Sequence, residues 1–253
     1  MNYAIITGTS KGLGASIAEN FLANEVNVIG IARHVNKELE ELASQEGTTY
    51  QHFCCDLTDV DQLRNTFSKI TTQVFTNKTS YVYLINNAAT VNPIDTANNH
   101  KLEEVQTHMQ INTIAPMMTT SLLLKEANQN NTQVIIANVS SGAADRSTFG
   151  WSAYGASKAG LNRYTETVAL EQKALGTNHK VILLDPSIMD TEMQGDIRSA
   201  TKEQFEEIEQ FKKFKEEDML RDTAIVAGAF FDVLKDVKNI ENGKYYRIND
   251  LLS

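Results

Sequence analysis

The fold of this chain is decided by the run TGTSKGLG at residues 7–14, which separates two stretches of different periodicity. Before it, the short apolar run Ala4–Thr7 is typical of a buried strand. After it, Leu13, Ile17 and Phe21 recur at helical spacing. Glycines between a strand and a helix let the main chain approach a phosphate group, which then sits on the N–H groups at the helix start. The sequence therefore predicts a βαβ unit with a phosphate-binding turn.

The rest of the chain alternates short β-branched runs with longer helical patterns. Strands are predicted at Ala4–Thr7, Val26–Ala32, Tyr50–Cys54, Tyr81–Ile85, Val134–Val139, Val181–Leu184 and Lys244–Ile248. Further helices are predicted at Lys37–Glu46, Asp59–Phe75, Val105–Asn128 and Tyr154–Leu175. Short strands that are apolar throughout fit a parallel sheet with helices on both faces. The predicted fold class is therefore α/β: a Rossmann-type, doubly wound, seven-stranded and mostly parallel sheet, with its ligand at the carboxyl ends of the strands.

Length and charge restrict the class of protein. The 253 residues contain no Gly/Ser/Pro-rich linker, so we expect one domain over residues 1–253. A formal net charge of −9, with 23 Lys and Arg against 32 Asp and Glu, argues against a nucleic-acid partner. The longest apolar run, Ala224–Phe231, is far shorter than the ~20 residues of a membrane span. No charged segment of a signal peptide opens the chain, and we expect a cytoplasmic protein.

The cysteines and histidines form no recognisable metal motif. Cys54 and Cys55 are adjacent, so on a strand their side chains point to opposite faces and favour neither a disulfide nor a shared metal. The five histidines show no H-E-x-x-H or Cys/His ligand spacing. We expect no metal site.

A series of motifs follows the glycine turn. They are, in chain order, Asn86-Asn87-Ala88-Ala89, Asn112, Ser141, Tyr154, Lys158 and Pro186-Ser187-Ile188-Met189-Asp190-Thr191. With the Gly-x-x-x-Gly-x-Gly spacing of the turn, these motifs resemble the short-chain dehydrogenase/reductase family from Thr7 to Thr191. Ala89 and Ser187 stand where the family has glycine, and both positions bear on cofactor binding more than on the chemistry.

The resemblance implies an enzyme that reduces a carbonyl group. Tyr154 and Lys158 are four residues apart, which places them on one face of a helix. An ammonium ~4 Å from a phenolate would lower the tyrosine pKa from ~10 by up to about three units. By resemblance, Tyr154 is the acid and Ser141 hydrogen-bonds the substrate oxygen. Lys158 lowers the tyrosine pKa and binds the nicotinamide ribose, and Asn112 holds a water that links Lys158 to solvent.

The end of the second strand indicates which cofactor the resemblance implies. Family members that use NAD usually carry an acid there for the ribose 2′-OH, whereas this chain has Arg33-His34. Lys11 lies beside the same ribose in the family's geometry. Two cations suit the 2′-phosphate of NADP(H), because each charge-assisted bond contributes ~1.5–3 kcal/mol. The predicted cofactor-binding residues are Ile6, Gly8, Ser10, Lys11, Gly12, Leu13, Gly14, Arg33, Asp56, Leu57, Asn87, Ala88, Tyr154, Lys158, Pro186, Ile188, Met189 and Thr191.

Three segments narrow the resemblance further. They are Val139–Ala143, Phe149–Trp151, and Thr191–Gln194 followed by Ile197-Arg198. Together they resemble the bacterial benzil reductases that form (S)-benzoin, which are relatives of sepiapterin reductase. This implies NADPH-dependent reduction of one carbonyl of an aromatic or α-diketone substrate. Candidates for an apolar wall around that substrate are Phe149, Trp151, Met189 and Met193.

Other functions stay open at this point. Within the enzymes they are a pteridine reductase of the sepiapterin type and a 3-oxoacyl or sugar reductase. From another class comes a nucleotide-sensing protein that binds NADP without turnover. The complete set of Asn112, Ser141, Tyr154 and Lys158 favours an enzyme, because a sensor needs no proton donor.

The charged segment after the sixth strand, about residues 191–218, suggests a lid. Phe205, Ile208, Phe211 and Phe214 recur every three residues, which predicts one apolar stripe on a solvated helix. Its place in the chain favours closure over substrate and nicotinamide, and the alternative is a surface helix packed on the core. The family resemblance also implies a homodimer through the helices around residues 111–128 and 154–175.

Overall fold

A parallel sheet of seven strands lies at the centre of the residues that the structure, a computed structural model, describes: 1–76 and 79–253. The strands are β1 (Asn2–Thr7), β2 (Asn27–Ala32), β3 (Tyr50–Cys54), β4 (Tyr81–Asn86), β5 (Gln133–Val139), β6 (Lys180–Asp185) and β7 (Tyr245–Arg247). Their order is β3-β2-β1-β4-β5-β6-β7, and every neighbouring pair is parallel. The predicted fold class is confirmed.

Helices cover both faces of this sheet. They are α1 (Gly12–Leu22), α2 (Lys37–Gln45), α3 (Val60–Val74), α4 (Leu102–Met109), α5 (Ala115–Asn130), α6 (Ser152–Ala174), α7 (Glu192–Ser199), α8 (Ile208–Glu216), α9 (Thr223–Lys235) and α10 (Ile248–Leu251). Strand side chains alternate between the faces, so Ile6 packs in the layer of Phe21 while Ile5 packs in that of Phe67. Among the helices described, none has the length and apolar character that crossing a membrane requires.

The parallel arrangement brings the predicted motifs to one edge of the sheet. β1 ends at Thr7, directly before the glycine turn, and β4 ends at Asn86. β5 ends at Val139 and β6 at Asp185, just before the residues that the sequence assigned to chemistry and cofactor. Ligands of doubly wound folds bind at this carboxyl edge.

The long helix predicted over residues 105–128 is interrupted. A π-helical turn, Gln110–Ile114, separates α4 from α5 and contains Asn112. Pro116 lies in the first turn of α5 and has no N–H. It therefore cannot form the bond that a regular α-helix would give to the carbonyl of Asn112. Periodicity alone conceals this interruption, because the buried positions before and after it recur at helical spacing.

Two predicted boundaries also differ. Phe205 precedes α8, because its N–H closes a turn on the carbonyl of Thr201 at 2.9 Å. Its ring is fully buried all the same and joins one apolar cluster with Ile208 and Phe211. The residues of the predicted stripe therefore pack in one cluster, although Phe205 lies outside the helix. At the end of the chain, Ile248 begins α10 and does not extend β7.

The start of α1 packs against the ends of β1 and β4 so closely that only glycine fits at position 14. A Cβ there would collide with the carbonyl oxygen of Gly8 and lie 2.5 Å from Asn87 Nδ2. Both neighbours are fixed, since Asn87 Nδ2 donates to the carbonyl of Thr7 at 3.0 Å. The close approach sets where the N-terminus of α1 stands relative to the sheet edge.

We therefore expect Gly14→Ala to lower the free energy of unfolding by about 1–3 kcal/mol, the usual effect of overpacking a fixed site. The matched control is Gly228→Ala in α9, where an added Cβ meets no atom within 4 Å. That change should leave the protein as stable or raise its stability by about 0.5–1 kcal/mol. Urea denaturation followed by circular dichroism measures both, and equal midpoints for the two variants would contradict the prediction.

Candidate active site

The N-terminus of α1 is open to an anion. Its N-cap residue, Lys11, makes no side-chain capping bond, and the first turn carries no acidic residue. Gly8 and Gly12 have φ values of +79° and +59°, in the left-handed region that glycine favours. The first N–H groups of a helix lack helical partners and carry a partial positive charge. The turn therefore fits the pyrophosphate of a dinucleotide.

The residues directly after β4 brace this turn. Thr7 Oγ1 accepts hydrogen bonds from the main-chain N–H groups of Asn87 and Ala88, both at 3.0 Å. The side-chain amide of Asn87 donates back to the carbonyl of Thr7. The sequence predicted Asn87 and Ala88 as cofactor contacts, and the structure shows that they also hold the ends of β1 and β4 together.

The predicted adenosine-side residues lie at the ends of β2 and β3. Arg33 follows β2 directly and is exposed, so this position holds the expected cation and not a carboxylate. Asp56 Oδ1 accepts bonds from the N–H and hydroxyl of Thr58, which lower the pKa of Asp56 together with the charge of Arg33. Lys11, expected beside the same ribose, forms an exposed ion pair with Glu192 at the start of α7.

Ser141, Tyr154 and Lys158 come together at the end of β5. Tyr154 lies in the first turn of α6, and Lys158 follows one turn later on the same face. Both are buried, with exposed fractions of 7% and 3%. Lys158 Nζ donates to the carbonyl of Val139 at 2.9 Å and stands 5.9 Å from the centre of the Tyr154 ring. This is the arrangement that the motif spacing predicted.

The electrostatics of the pair differ from the expectation. Burial raises the pKa of Tyr154, with Asp185 adding to the rise and the hydrogen bond with Ser141 opposing it. Burial also lowers the pKa of Lys158 to about 8, and Asp185 opposes that fall. The predicted lowering of the tyrosine pKa by Lys158 is therefore not found, because desolvation of the phenolate dominates. At neutral pH Tyr154 holds its proton.

Asn112 is held by a buried histidine, His108, that the sequence motifs did not single out. Asn112 Oδ1 accepts from the N–H of Thr90 at 2.9 Å, and Nδ2 donates to the Thr90 carbonyl at 2.8 Å. His108 Nε2 lies 2.9 Å from the same Nδ2. Its Nδ1 lies 2.6 Å from the carbonyl of Asn92, so Nδ1 carries the proton and Nε2 accepts.

His108 also connects Asn112 to the helix that carries Tyr154. Its Nε2 is 3.0 Å from Ser157 Oγ, and that hydroxyl donates to the carbonyl of Tyr154 at 2.8 Å. The imidazole and phenol rings meet edge to face with their centres 6.0 Å apart. Burial lowers the pKa of His108, so the ring is neutral at neutral pH. The available sequence signal was its position four residues before Asn112, one helical turn away.

We expect His108→Phe to lower the free energy of unfolding by about 1–3 kcal/mol, because a buried Asn112 N–H and the Asn92 carbonyl lose their partner. The matched control is His34→Phe at an exposed position. Urea denaturation of both variants measures the difference. A His108→Phe midpoint equal to that of the control would show that the hydrogen bonds contribute nothing.

An aromatic cluster covers Tyr154. The ring of Trp151 packs on Tyr154 with centres 5.2 Å apart, and on Phe205 at 4.8 Å. Phe211 meets the Trp151 ring edge to face at 5.5 Å. The cluster thus joins the start of α6 to the segment before α8 and to α8 itself.

Two of the four predicted wall residues belong to this cluster. Trp151 is part of it and Met193 packs against it. Phe149 is 49% exposed, and Met189 packs against the large core on the α1 and α9 side. Phe149 and Met189 therefore lie outside this cluster, and their contact with substrate stays a prediction.

The loop after β6 returns to the glycine turn. Asp185 Oδ1 accepts a 2.9 Å bond from the N–H of Ser187, which has a φ of +57° where the family has glycine. Thr191 begins α7, and its methyl group lies 3.7 Å from the point where a Cβ on Gly12 would stand. The predicted cofactor segment 186–191 therefore faces the turn across the carboxyl edge.

Among the residues that the structure describes, no three His, Cys, Asp or Glu side chains gather as metal ligands. A glycine turn, a Ser-Tyr-Lys group whose phenol and ammonium are buried, and a parallel sheet define a nucleotide-dependent oxidoreductase. The model of the short chain dehydrogenase family matches residues 2–202, and the chain belongs to this family. It is an oxidoreductase acting on carbonyl or hydroxyl groups with a nicotinamide cofactor.

The chain is similar over its whole length to named reductases. It is 37% identical over 250 residues to a benzil reductase ((S)-benzoin forming) of Bacillus cereus, covering 99% of this chain and 100% of that relative. The same description belongs to a Bacillus subtilis (strain 168) relative, 35% identical with 100% of both chains covered. The crystal structure of YIR035C, a short chain dehydrogenase/reductase from Saccharomyces cerevisiae, is 26% identical with a TM-score of 0.82 and covers 99% of this chain and 97% of its own. The predicted resemblance is confirmed.

Proposed function

We propose that the protein is an NADPH-dependent carbonyl reductase that reduces one ketone of an aromatic or α-diketone substrate such as benzil, with Tyr154 as proton donor. The observation that carries the proposal is the buried phenol of Tyr154 beside the buried ammonium of Lys158, at the carboxyl edge that also holds the glycine turn. The full-length similarity to two benzil reductases supports the substrate class. The aromatic cluster around Trp151 supplies an apolar surface next to the phenol.

Each side chain has one task in this reaction. The nicotinamide, when bound, supplies the hydride that reduces the carbonyl carbon. Tyr154 donates its phenolic proton to the carbonyl oxygen, and Ser141 donates a hydrogen bond to the same oxygen. The raised pKa keeps that proton on Tyr154 until the oxygen becomes basic. Lys158 then stabilises the phenolate by its charge, and His108 orients Asn112 beside the pair.

We expect Tyr154→Phe to lower kcat for benzil reduction by about 10²–10⁴-fold, the usual contribution of a positioned acid. NADPH binding should persist, because the variant loses only a hydroxyl. The matched control is Tyr164→Phe on the same helix, whose hydroxyl donates to the carbonyl of Met117. Loss of NADPH absorbance measures turnover, and fluorescence titration measures binding. If Tyr154→Phe kept a tenth of the activity, another group would be the proton donor.

A nucleotide sensor gives a different result in the same experiment. NADPH would bind tightly, yet neither benzil nor sepiapterin would be reduced by the unmodified protein. A panel of diketones, quinones, pterins and acyl thioesters then separates the carbonyl reductase from a pteridine-type or 3-oxoacyl reductase. The buried Tyr154 and Lys158 favour the enzyme, since burying two ionisable groups is costly without a use for them.

The preference for NADPH rests on the end of β2. Arg33 is exposed there and carries a charge that suits a 2′-phosphate. Lys11 adds a second cation at the glycine turn. Its pairing with Glu192 is exposed on both sides, and such surface pairs contribute only ~0–1 kcal/mol. A 2′-phosphate therefore competes with Glu192 for Lys11 at little energetic cost.

We expect a ratio of kcat/KM for NADPH over NADH above about ten, since one charge-assisted bond contributes ~1.5–3 kcal/mol. Arg33→Ala should lower that ratio at least about tenfold by removing the bond. The control Arg64→Ala removes a cation from α3 that pairs with the exposed Asp61. A ratio below ten in the unmodified protein would show that the cations serve another purpose.

We further propose that residues 1–253 act as one domain, with residues 191–218 as a lid over the substrate. Phe205 and Phe211 of this segment reach the cluster on Tyr154, so closure excludes water from the phenol. A homodimer through α5 and α6 fits the family, and Leu170 of α6 is 66% exposed. The two free thiols, Cys54 and Cys55, suit the reducing conditions of the cytoplasm.

A further inference from the structure

Asp185 is a buried acid that belongs to none of the sequence motifs. It is the last residue of β6 and is only 7% exposed. Its Oδ2 accepts a 3.1 Å hydrogen bond from the hydroxyl of Tyr245, and its Oδ1 accepts the 2.9 Å bond from the N–H of Ser187. A buried carboxylate is costly unless it is paired or has a function.

The carboxylate lies beside the catalytic group. β6 pairs with β5, so Ser140 N–H donates to the carbonyl of Leu184, directly before Asp185. A Cβ on Gly142, the neighbour of Ser141, would stand 4.0 Å from Asp185 Oδ2. Lys158 Nζ donates to the carbonyl of Val139, which is the register partner of Leu184, so the ammonium and Asp185 lie at neighbouring positions of the β5–β6 pair. The charge of Asp185 raises the pKa of Lys158, against the effect of burial, and raises the pKa of Tyr154 in the same direction as burial.

We propose that Asp185 is a positioning residue with two tasks: its negative charge holds Lys158 in the cationic form, and its Oδ1 holds the loop that begins at Pro186. The inference rests on the proposed function, because it assigns the charge to the proton-transfer pair of that reaction.

The first task follows from the surroundings of Lys158. The hydrogen bond from its Nζ goes to a neutral carbonyl, that of Val139, which adds no charge to offset burial. Burial lowers the pKa of Lys158 to about 8, which is close to neutral pH. A nearby carboxylate therefore decides how much of Lys158 stays charged, and thus how well the phenolate of Tyr154 is stabilised.

The other charged and titratable groups around Asp185 do not neutralise its carboxylate, so its charge can act on Lys158. From β7, Tyr245 stays protonated because burial and Asp185 raise its pKa, so it is a neutral donor. Arg247 stacks on the Tyr245 ring at 4.1 Å and pairs with Asp145 at 2.9 Å. That pair is half-exposed and screened by solvent. Among the described residues of α6, Tyr154 and Lys158 are the groups whose pKa the charge of Asp185 raises.

The second task follows from the backbone of Ser187. A residue with a side chain at a φ of +57° is strained where glycine is not. The bond from its N–H to a carboxylate two residues earlier is the local bond that stabilises such a turn. Asp185 thereby compensates for the missing family glycine in the segment proposed to cover the cofactor.

Asp185→Asn separates the two tasks, because the amide keeps an acceptor for Ser187 and removes the charge. Both Lys158 and Tyr154 then lose an influence that raises their pKa. Reduction needs the proton on Tyr154, so the alkaline limb of kcat/KM should move to lower pH by about one unit. Oxidation of the alcohol product needs the unprotonated form, so its rise with pH should begin earlier by the same amount. The dissociation constant for NADPH should stay unchanged.

Asp185→Ala removes both tasks. It should show the same shift of the alkaline limb and, in addition, raise the dissociation constant for NADPH about two- to tenfold, as the loss of one hydrogen bond to the loop predicts. Asp61→Asn is the matched control for charge, since Asp61 lies on α3 and is exposed. Its pH profile should coincide with that of the unmodified protein.

Tyr245→Phe distinguishes charge from packing. It removes the hydrogen bond to Asp185 and leaves the carboxylate in place, so the alkaline limb should not move to lower pH. A limb that moves as far in Tyr245→Phe as in Asp185→Asn would overturn the role of the charge. Should Asp185→Asn fail to fold by circular dichroism, Asp185→Ser offers a smaller acceptor without charge for the same comparison.

The outcomes also separate this inference from the proposed function. An alkaline limb of Asp185→Asn that coincides with that of Asp61→Asn refutes the electrostatic role, while Tyr154 stays the donor if its phenylalanine variant is inactive. Activity retained by Tyr154→Phe refutes the donor itself, whatever the profile of Asp185→Asn.

Discussion

Parallel hydrogen bonding between neighbouring strands requires that all seven strands end at the same edge of the sheet, and this requirement organises the whole site. β1 delivers the glycine turn to that edge, β5 delivers Ser141, and β6 delivers Asp185. None of these residues is near the others in sequence. Their proximity depends on ladder bonds such as that between Ser140 and the carbonyl of Leu184. A chemical group assembled in this way is rigid, because each side chain starts from a strand end that cannot move independently.

Burial gives that edge its chemical character. Tyr154 and Lys158 are nearly inaccessible to water, and desolvation shifts their pKa values toward the neutral forms of both groups. A neutral phenol is the form that donates a proton, whereas a neutral amine would stabilise no phenolate. The reaction therefore needs a neutral phenol and a charged amine in the same buried environment. A carboxylate at Asp185 meets this need, since its charge favours the ammonium of Lys158 and keeps the proton on the phenol of Tyr154.

The sequence predicted which side chains meet at the end of β5, but not what supports them. Asn112, Ser141, Tyr154 and Lys158 were recognisable because the family's motifs carry those residue types in that order. His108 was not, since its partners Asn92 and Ser157 lie far from it in the chain and become neighbours only when α4 packs against α6. The interruption at Asn112 was equally hidden, because buried positions recur at helical spacing through it and the missing N–H of Pro116 has its effect on a carbonyl four residues earlier.

By itself the sequence determined three chemical features of the protein. They are a glycine turn for a dinucleotide, a Ser-Tyr-Lys group for a carbonyl, and a cation in place of an acid after β2. These features are local, and a local pattern of residue types is sufficient to specify them. The tertiary structure decided the electrostatics, because a pKa depends on which distant groups exclude water from a side chain and which charges face it. Only the packed chain shows that burial lowers the pKa of Lys158, that Trp151 packs on Tyr154, and that the charge of Asp185 raises the pKa of both side chains.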